Sequence, residues 1–86
     1  MGTVQRFGER PPTRRQFLLM AEARIKQSGD DQEVVHHPRR YALSRAGAGM
    51  IDLKEYYETY ASACNTGATT TKQRILDEIL DRWQKL

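Results

Sequence analysis

The sequence predicts an all-α fold, a small bundle of three to four helices with a short helix or β-hairpin inserted at 33–46. Three observations carry this expectation. Apolar residues recur at spacings of three and four in three separate stretches, as on one buried face of a helix. Each stretch opens on a polar residue with Gln or Glu three positions later: Thr13 and Gln16, Asp52 and Glu55, Thr70 and Gln73. That is the spacing of a capping box. Glycine, free to take positive φ, stands just past the first two stretches, as Gly29 and Gly67.

The first helix is expected over 13–28. Pro11-Pro12 cannot extend it backwards. Phe17, Leu18, Ala21 and Ile25 form its main stripe, and Met20 widens it. Residues 1–12 show no periodicity and read as a flexible arm, which leaves 13–86 as a single helical domain. The second helix is expected over 51–65, where Leu53, Tyr56, Tyr57, Tyr60, Ala61 and Cys64 fall on one stripe. The third is expected over 70–85, with Ile75, Leu76, Ile79, Leu80 and Trp83 facing inward. Its outer face offers Arg74 to Glu78, Glu78 to Arg82 and Asp81 to Lys85 as pairs one turn apart.

The segment at 33–46 admits two readings. Val34-Val35 suits a strand, and 39–46 could return as a second one. Alternatively Pro38 begins a short helix that Gly47 caps. A proline harms a continuous strand and an isolated hairpin is weak, so the helix is preferred.

A chain of 86 residues with 38% hydrophobic and 29% charged residues is neither disordered nor fibrous. No apolar run approaches the ~18 residues of a membrane span, and none suits a signal-peptide core. Cys64 has no second cysteine to pair with, so a reducing, cytoplasmic setting is expected. Residues 1–45 hold nine Lys/Arg against five acids, while 46–86 hold five against six. The cationic surface therefore belongs to the first half, and it favours an anionic partner there.

Catalytic chemistry finds little support. His36 and His37 are adjacent, so their side chains diverge, and no metal or other cofactor is expected. Gly47-Ala48-Gly49 lacks the remaining features of a phosphate loop and reads as a turn. Cys64 lies on an apolar stripe, as a core residue does. Domains of this size seldom enclose a pocket of ~300 Å³ or more, so no catalytic residues are assigned and an enzyme is not expected.

The expected function is a small non-catalytic binding module. Arg14, Arg15, Arg39, Arg40 and Arg45 suit phosphates and base edges, and Tyr41 could stack on a base or bond to the backbone. Helices at 38–46 and 52–64 would form a helix-turn-helix, although Glu55 and Glu58 on the second would oppose groove entry. Arg6 and Arg10 in the arm could add contacts. The alternative is a protein-interaction module, a small regulator or inhibitor, docking through arginines and a tyrosine-rich surface. Tyr57 and Tyr60 would then meet a partner or a second copy.

The stripe of the last helix is a direct test of the bundle. Ile79→Asp is expected to abolish the cooperative melt followed by circular dichroism, because it places a charge on the apolar face. A melt as cooperative as that of the unaltered chain would contradict the assignment.

Overall fold

A computed structural model describes residues 10–38 and 40–86. Within them the chain runs α1 (Arg14–Gln27), β1 (Val34–His37), β2 (Ala42–Arg45), β3 (Met50–Asp52), α2 (Lys54–Thr66) and α3 (Thr69–Gln84). The strands form an antiparallel meander, ordered β1-β2-β3. The fold is α+β, which corrects the expected all-α bundle.

The correction is confined to 33–52. The hairpin forms, and the preferred short helix does not. Pro38 is no obstacle because it lies in the turn rather than in a strand. It follows His37, whose carbonyl accepts from the Arg40 N–H at 3.1 Å and the Tyr41 N–H at 2.6 Å. Proline's fixed φ suits that second position of a turn. The third strand takes Met50–Asp52, two residues of which were expected in the second helix. Gly47 turns the chain between β2 and β3 with φ +75° instead of capping a helix. With 42–45 a strand, there is no helix-turn-helix.

The three amphipathic helices lie close to their expected places. Their apolar stripes bury Phe17, Leu18, Ala21 and Ile25 on α1, Tyr60 and Cys64 on α2, and Ile75, Ile79 and Trp83 on α3. Ala63 of α2 is buried as well, off the expected stripe. Thr13 makes the expected capping box with Gln16, its hydroxyl oxygen accepting from the Gln16 N–H at 3.1 Å. The other two boxes do not form. Asp52 closes β3, and its carboxylate accepts from the Lys54 N–H at 2.9 Å just ahead of α2. The backbone positions of Leu53 and Ala68 begin α2 and α3 without a side-chain cap. Gly67 ends α2 in the left-handed region, at φ +73°. Of the three expected pairs on α3, Arg74–Glu78 and Lys85–Asp81 form at 3.9 and 2.8 Å, while Arg82 turns instead to Tyr56.

Register decides which sheet residues face the helices. Val34 pairs with Arg45, His36 with Leu43, and Leu43 with Ile51. Cross-strand partners share a face, so these five side chains point to one side. Leu43 and Ile51 are fully buried there in the same core as the helix stripes. His36 and Arg45 therefore point toward the helices, whereas His37 lies on the opposite face and bonds to Ser44 Oγ at 2.9 Å.

Gly47→Ala should lower stability by about 1 kcal/mol in chemical denaturation. A Cβ there meets nothing within 4 Å, so the left-handed backbone supplies the whole cost. An unchanged midpoint would mean that the turn relaxes.

Candidate nucleic-acid interface

α1 begins with Arg14 and Arg15, and its first turn holds no acidic residue. The β1–β2 hairpin lies beside it. Together they bound an open cleft of about 460 Å³. Arg14, Arg15, Leu18 and Leu19 line it from the helix, and His36, Pro38 and Tyr41 from the hairpin. It is a surface cleft and not an enclosed pocket.

An aromatic cluster fixes the hairpin against the helix. The Phe17 ring centroid lies 5.1 Å from that of Tyr60, 5.7 Å from Tyr57 and 6.4 Å from Tyr41. Tyr41 meets Tyr57 edge-on at 5.5 Å. Such pairs add roughly 0.5–1.5 kcal/mol each beyond the area they bury. The Arg14 guanidinium sits over the Tyr41 ring at 5.8 Å. Tyr41 is buried with φ +54°, a rare conformation for a residue with a Cβ. Its hydroxyl has no hydrogen-bond partner among the described residues. Burial pushes that hydroxyl's pKa well up, the nearby Tyr57 adds to the rise, and Arg14 partly offsets it.

The expected contact residues separate into three groups. Arg14, Arg15 and Tyr41 come together in the cleft, and Arg40 stands exposed in the adjoining turn. Arg6 and Arg39 lie outside the described residues. Arg45 does not join the group, because it is engaged inside the protein. Its Nη2 donates to Asp30 Oδ2 at 3.0 Å and to the Trp83 carbonyl at 2.6 Å, and its guanidinium covers the Trp83 ring at 4.9 Å. The Trp83 indole N–H donates to the same Asp30 oxygen at 2.7 Å.

The two tyrosines expected at a protein interface are also turned inward. Tyr60 is buried on Phe17, and the half-buried Tyr57 donates its hydroxyl to the Pro12 carbonyl at 2.8 Å. That bond ties down the end of the expected arm.

Leu18, Leu19, His36 and Pro38 are the cleft residues that sequence reasoning did not assign to a site. The run Phe17 to Ala21 carried a signal for one of them. Five successive apolar residues on a helix cannot all face inward, and Leu19 is 47% exposed. His36 Nε2 is buried, 3.5 Å from Glu22 Oε1, without a hydrogen bond. No group of three His, Cys, Asp or Glu capable of holding a metal occurs among the described residues. No helix among them is long and apolar enough to cross a membrane. The chain matches no family model, no curated protein and no solved structure.

The Asp30 carboxyl is held below its ordinary value of 3.8. The Gln32 N–H is the main cause, burial opposes it, and the Trp83 and Arg45 donors reinforce it. A lowered folded-state pKa gives stability that is present above pH 3.8 and lost as pH falls through the lower value. Thermal melts from pH 5 to pH 2 should therefore show Asp30→Asn losing less stability on acidification than the unaltered chain. Equal losses would show that Asp30 contributes nothing to this linkage.

Proposed function

We propose that this is a non-catalytic module that binds nucleic acid through the cleft between α1 and the β1–β2 hairpin. One observation carries the reading: the sorting of the arginines. Arg24 is paired with Asp77 at 2.6 Å, Arg45 with Asp30, and Arg74 with Glu78. Arg10, Arg14, Arg15 and Arg40 make no ion pair among the described residues. Arg14, Arg15 and Arg40 are grouped at the start of α1 and the tip of the hairpin, with Arg10 just ahead of that helix. Cations left unneutralised on one side of a small domain attract a polyanion, and guanidinium groups match phosphate oxygens in geometry and charge. Glu22 does not cancel them, since it is turned to Lys26 and His36.

The remaining surfaces support the choice of this cleft. α2 exposes Glu55 and Glu58, and along α3 and at its C-cap Arg74 and Lys85 pair with Glu78 and Asp81 while Arg82 engages Tyr56. Cys64 is buried and is the one cysteine of the sequence, which suits a reducing cytoplasmic compartment.

Binding should weaken steeply between ~50 and ~200 mM salt, as counterion release requires. Arg14→Ala with Arg15→Ala should lower the slope of log K against log salt by about 1.4 on a single strand or 1.8 on a duplex. Arg39→Ala with Arg40→Ala should weaken all base sequences alike. Fluorescence anisotropy with labelled oligonucleotides measures both effects, and no binding at ~50 mM salt would overturn the proposal.

A further inference from the structure

We infer that the cleft seats an unstacked base of a single-stranded nucleic acid, with the flanking phosphates on its arginine rim. This rests on the nucleic-acid reading above. The cleft combines two surfaces that a phosphate backbone alone does not need. Arg14 and Arg15 supply charge, while Leu18, Leu19 and Pro38 supply an apolar wall. Its volume of about 460 Å³ falls within the ~300–1,000 Å³ of sites that take small organic groups.

A duplex does not fit that combination. Its bases are stacked, so the apolar wall would meet only sugar and phosphate. Major-groove readout needs a protruding element with free donors, and the exposed face of α2 is acidic. A single strand can turn one base inward and keep its phosphates outside, the arrangement that basic grooves with stacking surfaces use. The chemistry of the rim agrees. The unpaired cations there are all arginine, whose planar guanidinium stacks on a base as well as binding phosphate. Pro38 and His36 add flat surfaces on the hairpin side. An acidic peptide would satisfy the charge but lacks the planar face of a base for the rim guanidinium groups to stack on.

The test compares three labelled probes on the full chain by fluorescence anisotropy at ~50 mM salt: a mixed-sequence DNA strand of about 12 nucleotides, the same strand in a duplex, and an abasic strand of equal length. The intact strand should bind about 10-fold tighter than either of the others. Leu19→Ser should bring the intact strand close to the abasic one, and Met50→Ser, an exposed residue on β3 outside the cleft, should leave the preference unchanged. Thermal melts establish that both variants fold. Equal binding of intact and abasic strands would overturn the base seat and leave the phosphate contacts standing. No binding by any probe would overturn both readings. Displacement of the strand by an equimolar acidic peptide carrying leucine would overturn the base seat in favour of protein docking.

Discussion

A single carboxylate oxygen joins three distant segments of this chain. Asp30 Oδ2 accepts from the indole N–H of Trp83 and from the guanidinium of Arg45, and the same guanidinium reaches the Trp83 carbonyl. The loop after α1, the central strand of the sheet and the last turn of α3 are thereby closed into one unit. A domain of this size has a thin core, so a polar junction at its edge matters more than it would in a larger protein. The junction is also demanding. Removing one member leaves a charge or an N–H without its partner in a part-buried place, where the loss exceeds that of an exposed bond. Arg45 Nε has no hydrogen-bond partner among the described residues, so the other contacts must carry that residue.

That junction explains which arginines are left over. Strand pairing places Arg45 on the helix-facing side of β2, opposite Val34, and its charge is used up there. Arg24 is spent across α1 and α3 on Asp77. Of the described arginines without an ion pair, Arg10, Arg14, Arg15 and Arg40 lie around the other end of α1 and the hairpin tip, while Arg82 on α3 meets the Tyr56 hydroxyl and ring. Composition gave only the excess in the first half. Among the described residues, the three-dimensional pairing assigns Arg24, Lys26 and Arg45 of that half to acids and leaves Arg10, Arg14, Arg15 and Arg40 without an ion pair.

The helices were legible because their period is long and regular. Phe17, Leu18, Ala21 and Ile25, or Ile75, Ile79 and Trp83, repeat often enough to define a face. The strands have three or four residues each, too few for alternation to register. β2 is worse than uninformative, since Ala42, Leu43 and Ser44 are all buried and hide its period of two. Pro38 was misleading because its meaning depends on whether it is inside a strand or one step beyond it. Of the cleft, its charged residues could be named from the sequence. Its apolar wall could not, because the wall exists only where the hairpin meets α1. Arg45 shows the converse: its type suggested a contact, and only strand register reveals that it faces Trp83.

Tyr41 connects the fold to the cleft. Its left-handed backbone costs roughly 1–2 kcal/mol, and it persists because several contacts agree on it. Its N–H bonds to His37, its carbonyl accepts from the Leu53 N–H at 3.1 Å, and its ring is clamped by Phe17 and Tyr57. Glycine would adopt this backbone without strain but would leave the aromatic cluster open. A hairpin return held by these contacts sets the position of the cleft wall. For the proposed binding, a preformed wall would lower the ordering cost. The strained residue therefore serves the cleft through rigidity, since its ring is buried and its hydroxyl stays neutral. The charge that reaches solvent belongs to Arg14 stacked on that ring, so the backbone conformation at one position sets where the cation stands.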